Sequence, residues 1–138
     1  MEQEMPQADS GPKGVSVVVQ QMVERQARAW ERNDFDLAAA DWLPDGILVA
    51  PGGQWSRAEL RRVMAESHAG FEDVEIGIRN VFMSPDERQV AIEWDWAASR
   101  ESDGERSVTH DAIIVSLVNG KISSWREYFD RLGSVEAP

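Results

Sequence analysis

The stretch Val108–Asp130, VTHDAIIVSLVNGKISSWREYFD, holds two apolar segments separated by Asn119-Gly120. Both central residues of a type I′ turn need positive φ, and Asn-Gly is the pair that adopts it most readily. Two strand-like segments around such a pair predict a β-hairpin. We therefore take this hairpin as the element that decides the fold.

A regular hairpin with Val118 and Lys121 beside the turn predicts three facing pairs: Ile114 with Trp125, Ala112 with Glu127, and His110 with Phe129. Side chains alternate between the faces of a strand, so these six are expected on one face. A face that mixes apolar, aromatic and ionisable groups suits the wall of a pocket. A one-residue slip would exchange the faces and bring Asp111 inward instead of His110.

The composition is that of a globular domain and narrows the range of functions. The chain has 138 residues and a net charge of -11. We expect a single domain over residues 15–133, with a disordered tail over 1–14 and a short C-terminal tail over 134–138. A surface this acidic repels phosphate backbones, so nucleic-acid binding is not expected. No apolar stretch approaches the ~20 residues of a membrane span, and the first residues do not form a signal peptide.

The absence of cysteine excludes disulfides and thiolate chemistry, and favours a cytoplasmic location. The two histidines, His68 and His110, are far apart in the sequence, so no metal site is predicted. His68, at the end of a helix, is predicted to be exposed rather than a ligand. No motif for a cofactor is present.

Spacing along the chain predicts three helices followed by strands. The apolar stripe of the first helix runs from about 16 to 32 and contains one polar residue, Gln26. A second helix is expected over 35–42, ended by Pro44-Asp45-Gly46, and a short strand over 47–50. Ser56 and Glu59 form a capping box for the third helix, which runs to about His68. Alternating residues then predict strands over 72–83 and from about 90 to 98, before the hairpin.

These elements form an α+β domain in which a curved antiparallel sheet wraps around the helices. The chain resembles the SnoaL-like branch of the nuclear transport factor 2-like superfamily. The resemblance lies in the order of the elements and in three segments, Pro51-Gly52-Gly53, Asn119-Gly120-Lys121-Ile122 and Trp125–Asp130. The resemblance covers about residues 15–132. It implies a cone-shaped sheet of four long strands and one short strand around three N-terminal helices, with a ligand cavity inside.

The superfamily includes enzymes of several reaction types and proteins without chemistry, so function has to be argued from the site. Against ketosteroid isomerases, Ala50 stands at the position of the catalytic carboxylate and Gln26 at that of the tyrosine. Against limonene-type epoxide hydrolases, Trp94-Asp95-Trp96 replaces their Arg-x-Asp, whereas Glu127 and Trp125 match their last strand. The sequence therefore lacks the groups of the isomerase site and keeps about half of the epoxide hydrolase site.

Two ionisable groups are the candidates for catalysis. Glu127, inward beside aromatic side chains, is expected to have a raised pKa and to act as a general base. His110 is its expected partner, since a carboxylate that holds an imidazole is a common acid/base unit. The alternatives are that Glu127 pairs with an arginine or faces water, and that His110 is a solvated residue at a strand end.

Six tryptophans are the main compositional peculiarity. Indoles on the inner face of the sheet either bind a flat apolar ligand or fill the cavity. The residues predicted to contact a ligand are Gln26, Trp30, Trp42, Trp55, Trp94, Trp96, Ile114, Trp125 and Phe129.

The sequence thus supports two functions. The first is binding of a small apolar or aromatic molecule, with acid/base turnover by Glu127 and His110. The second is a non-catalytic accessory or dimerisation domain whose cavity is filled by tryptophan. The resemblance implies a homodimer that packs through the outer face of the sheet. The strip Ile113, Val115 and Leu117, which is predicted to be apolar and outward-facing, supports this expectation.

Overall fold

The computed structural model describes residues 14–129. The predicted tails lie outside the described residues, except for Gly14. The elements, in chain order, are α1 (Val17–Arg32), α2 (Phe35–Ala39), β1 (Trp42–Ala50), β2 (Gly53–Ser56), a 3-10 turn (Arg57–Glu59), α3 (Leu60–His68), β3 (Phe71–Met83), β4 (Gln89–Arg100), β5 (Arg106–Val118) and β6 (Lys121–Tyr128).

The helix boundaries follow from the caps in the sequence. The Ser16 hydroxyl accepts a hydrogen bond from the backbone N–H of Val19 and begins α1, and Asn33, with φ of 56°, ends it. The capping box of Ser56 and Glu59 is confirmed. No helix among residues 14–129 is long and apolar enough to cross a membrane.

The sheet has six strands in the order β2-β1-β6-β5-β4-β3. All neighbours are antiparallel except β1 and β6, which are parallel. The helices cover one face, where a continuous core joins Val23 and Ala27 of α1 to Ile92, Ile113 and Trp125 of the sheet. The predicted α+β architecture is therefore confirmed.

The region between α2 and α3 differs from the prediction. The second helix ends at Ala39, and β1 already begins at Trp42. Pro44-Asp45-Gly46 does not end a helix but lies within β1, where the pairing with β6 shifts between Trp42 and Ile47. Gly46 allows this close pairing, since a Cβ there would lie 2.9 Å from the carbonyl oxygen of Ile122. Strand β2, which pairs with the end of β1, was not predicted.

The closing hairpin has the predicted turn but not the predicted register. Val118 faces Lys121, but beyond them a bulge at Ser123 shifts the pairing by one residue. The Ser123 hydroxyl donates a hydrogen bond of 3.1 Å to the carbonyl oxygen of Ser116 at this point. Trp125 therefore faces Val115 instead of Ile114. A bulge adds one residue to one strand and reverses which side chains share a face beyond it.

The bulge overturns the predicted faces of β5. Ile113 and Val115 are fully buried and Leu117 is nearly so, hence the strip predicted for a dimer interface belongs to the core. His110 and Ile114 instead lie on the outer face, away from Trp125 and Glu127. Asp111, the alternative weighed against His110, is the residue that faces inward.

Candidate functional site

Two carboxyl groups meet on the inner face of the sheet. Glu127 on β6 is paired with Ile113 of β5, and Asp111 lies two residues away from Ile113 on the same face. The two carboxyl groups are within hydrogen-bonding reach of each other. We call Asp111 and Glu127 the carboxyl pair.

Each member of the carboxyl pair accepts a hydrogen bond from an indole. Trp94 Nε1 donates to Asp111 Oδ2 over 3.2 Å, and Trp125 Nε1 donates to Glu127 Oε1 over 2.9 Å. Trp94 and Trp125 are almost fully buried, and their ring centroids are 5.6 Å apart. Packed indoles that each donate one hydrogen bond fix the positions of both carboxyl groups.

The surroundings favour retention of one proton by the pair. Burial, followed by the negative charge of Glu127 and the hydrogen bond to it, raises the pKa of Asp111 to about 8, although the Trp94 N–H opposes the shift. Burial also raises the pKa of Glu127, against the opposing hydrogen bonds from Trp125 and Asp111. Two adjacent buried carboxylates cannot both ionise readily.

The unpaired oxygen of Asp111 is further evidence that the pair holds a proton. Asp111 Oδ1 is buried and has no donor among the described residues. A proton between the two carboxyl groups would leave no buried oxygen unsatisfied. The hydrogen bond between them raises the pKa of Asp111 and lowers that of Glu127, which favours Asp111 as the member that keeps the proton.

The carboxyl pair lies beside two adjoining pockets, which we describe as two lobes of one cavity. The first lobe, of about 230 Å³, is lined by Trp30, Ser67, Trp94, Trp96, Thr109, Asp111, Glu127 and Phe129. The second lobe, of about 250 Å³, is lined by Trp30, Leu48, Ala50, Pro51, Trp55, Val63, Glu66, Ser67, Glu127 and Phe129. Both lobes share Trp30, Ser67, Glu127 and Phe129, so Glu127 lies at their junction.

Most of the residues predicted to contact a ligand line this cavity. Trp30, Trp94, Trp96 and Phe129 line the first lobe, and Trp55 lines the second. Trp42 and Trp125 lie behind the wall instead, with their rings stacked 6.0 Å apart.

Gln26 is part of the buried framework and does not line either lobe. Its amide nitrogen donates to the carbonyl oxygen of Ala38 and to Asp41, over 2.9 and 3.1 Å. Its amide oxygen accepts from Trp42 Nε1 over 3.3 Å. Arg25 also binds Asp41, at 2.9 Å. The polar residue on the stripe of α1 thus anchors the segment between α2 and β1.

Both histidines lie in places that the sequence did not predict. His110, 72% exposed, lies on the outer face of the sheet with its Nδ1 2.6 Å from Asp95 Oδ1, so it does not face Glu127. His68 is half-buried rather than exposed. Its Nε2 lies 2.7 Å from the carbonyl oxygen of Trp30, and its ring meets the edge of Trp96.

The prediction missed Ser67 and Thr109, which line the first lobe with Asp111. Ser67 lies on α3, where it follows no apolar spacing, and Thr109 shares the reversed face of β5. If the bulge at Ser123 had been predicted from the sequence, both Asp111 and Thr109 would have been assigned to the inner face. Within residues 14–129, no three His, Asp or Glu side chains are grouped to hold a metal ion.

Comparison with known proteins agrees with the fold. The sequence model of a family described as "SnoaL-like domain" matches residues 23–125. The chain belongs to the SnoaL-like family. No curated protein matches this SnoaL-like chain in sequence.

Solved structures share the fold of this SnoaL-like protein at low sequence identity. A hypothetical protein with a ketosteroid isomerase-like fold from Catenulispora acidiphila, in complex with trimethylamine, is 19% identical with a TM-score of 0.73, over 86% of this chain and 94% of that one. An LEH-like epoxide hydrolase from M. tuberculosis is 18% identical with a TM-score of 0.70, over 88% and 89%. An NTF2-like protein of unknown function from Burkholderia pseudomallei is 13% identical with a TM-score of 0.75, over 88% and 97%.

Proposed function

We propose that this SnoaL-like protein binds a small, largely apolar carbonyl compound and transfers a proton at the carbon next to the carbonyl group. The observation that carries the proposal is the carboxyl pair at the cavity wall. Glu127 is the general base. The Asp111 O–H, which is shared with Glu127 before substrate binds, would turn to donate to the carbonyl oxygen as negative charge develops there and leave Glu127 free to accept the carbon-bound proton. The wall of Trp30, Trp94 and Trp96 provides flat apolar surface for a ring.

The side-by-side arrangement of Asp111 and Glu127 favours this reaction over epoxide opening. In enolisation, the proton that leaves and the oxygen that gains charge are on adjacent carbons, so acid and base can stand together. Opening an epoxide with water needs a base on one side of the ring and an acid on the other. Adjacent groups that share a proton meet the first requirement better.

Deuterium exchange tests the proposal directly. Cyclohexanone would be incubated with the protein in D₂O, and loss of the α-proton signals followed by NMR. We expect exchange above the buffer rate, with Glu127→Gln lowering the rate by about 100-fold or more, the usual range for a general base. The rate should also fall as pH rises through about 8, where Asp111 loses its proton.

His110→Gln is the matched control, because the sequence predicted His110 as the partner of Glu127 and the structure places it on the outer face. It should leave the exchange rate unchanged. The proposal is wrong if Glu127→Gln exchanges as fast as the native protein. Absence of both exchange and ligand binding would instead support the accessory domain.

We also propose that two copies pair through the outer face of the sheet. Strand pairing aligns Phe82, Ala91, Ile114 and Val49 in one row across it, interrupted by Arg126. Phe82 is 58% exposed, which is unusual for a large aromatic side chain without a partner surface. Light scattering at tens of micromolar protein should therefore give the mass of a dimer.

A further inference from the structure

The two lobes of the cavity differ in chemistry although they share a junction. Four residues line the first lobe but not the second: the indoles Trp94 and Trp96 and the polar residues Thr109 and Asp111. The first lobe therefore suits a flat head that carries a hydrogen-bonding oxygen.

The second lobe is apolar over most of its own wall. Leu48, Ala50, Pro51, Trp55 and Val63 contribute this surface. The one ionisable group found only there is Glu66, whose side chain is 63% exposed and paired with Arg62 at 3.1 Å. Glu66 is thus directed to water, and the interior of the lobe matches a hydrocarbon group.

Neither lobe is large enough to be a typical ligand site by itself. Volumes of about 230 and 250 Å³ fall below the roughly 300–1,000 Å³ of most small-molecule pockets. Glu127 lines both lobes, so a molecule that extended from one lobe into the other would have its reacting carbon near Glu127.

We propose that the substrate is elongated, with a carbonyl-bearing ring in the first lobe and an alkyl tail in the second, and that Ala50 sets the length of tail that fits. The inference of a carbonyl-bearing ring rests on the proposed function, whereas the inference of an alkyl tail rests on the second lobe alone. A compact ring without a tail would leave the second lobe unused.

The position of Ala50 gives it this role. Leu48 and Ala50 alternate along β1 on the inner face, where Leu48 pairs with Trp55 and Ala50 with Gly53. Ala50 has the smallest side chain of the apolar wall and is half-buried. A larger residue there would occupy space that the tail requires, with little change to the first lobe.

Calorimetric titration with cyclohexanone and its 4-methyl, 4-butyl and 4-hexyl derivatives tests the proposal. We expect affinity to rise with tail length, by up to about fourfold for each buried methylene. In Ala50→Phe, the gain from butyl and hexyl tails should disappear, while cyclohexanone binds as before. Val63→Phe, on the α3 side of the same lobe, should have the same effect and serves if Ala50→Phe does not fold.

Thr109→Leu is the matched control, because it fills the first lobe instead. It should weaken every member of the series by a similar factor and keep the dependence on tail length. The proposal is overturned if native affinity does not rise with tail length, or if a folded Ala50→Phe or Val63→Phe binds the hexyl compound unchanged. Loss of deuterium exchange with retained length dependence would refute only the proposed reaction.

Discussion

Asp111→Asn should remove a large part of the pH dependence of stability. The folded protein holds a proton on Asp111 up to pH of about 8, whereas a carboxyl with the ordinary pKa of 3.8 releases it much earlier. Because the folded state binds the extra proton, the free energy of unfolding falls as pH rises between these values. At about 1.4 kcal/mol per pH unit, the total loss is on the order of 5 kcal/mol. Asparagine has no proton to lose.

The substitution also preserves the local contacts. The amide oxygen can accept from Trp94 Nε1 and the amide nitrogen can donate to Glu127, as the protonated acid does. We therefore expect the variant and the native protein to be similarly stable at pH 5, and the variant to be more stable by several kcal/mol at pH 8. Urea unfolding at pH 5, 6, 7 and 8 and constant ionic strength measures the difference.

Asp95→Asn is a control with the opposite sign. Burial raises the pKa of Asp95, but hydrogen bonds from His110 and Arg79 outweigh burial and leave the pKa below its usual value. This stabilisation is present above the unfolded pKa and is lost as pH falls, so the variant should be less stable at neutral pH. Parallel stability curves for the native protein and Asp111→Asn would refute the protonated state of Asp111 and, with it, the acid in the proposed reaction.

Three further substitutions test the framework and the outer face. Gln26→Leu should lower the free energy of unfolding by about 1–3 kcal/mol in urea, because it leaves the Ala38 carbonyl and the Trp42 indole unpaired. Gly120→Ala should cost about 1 kcal/mol by the same measurement, since φ is +78° there; an unchanged midpoint would contradict the left-handed turn. Phe82→Lys should convert the proposed dimer to a monomer in light scattering and lower the thermal midpoint modestly, because association no longer stabilises the folded state.

The sequence was sufficient for the architecture because the signals that determine it are local. Asn119-Gly120, the capping box of Ser56 and Glu59, and the alternation along β4 each depend on a few neighbouring residues. Glu127 was identified because the segment around it also carried the family resemblance. Local signals of this kind can be recognised without knowledge of the tertiary contacts.

The missed parts depend on contacts between distant residues. Pro44-Asp45-Gly46 has the composition of a turn, but pairing with β6 holds it within a strand. Gln26 looked like a ligand-binding residue because its partners, Asp41 and Trp42, follow in a different element. Asp111 was only an alternative, because no local preference marks Ser123 as a bulge.

The bulge at Ser123 also determines which sequence changes this hairpin can accept. Exchanging one residue for another in the segment between the turn and Trp125 alters a single contact. A regular ladder at the present length would place Trp125 and Glu127 opposite Ile114 and Ala112 on the outer face, and the extra residue at Ser123 prevents this. A chain one residue shorter between the turn and Trp125 would keep both side chains inside without a bulge. Among related sequences, a bulge should therefore accompany the longer segment and be absent from the shorter one.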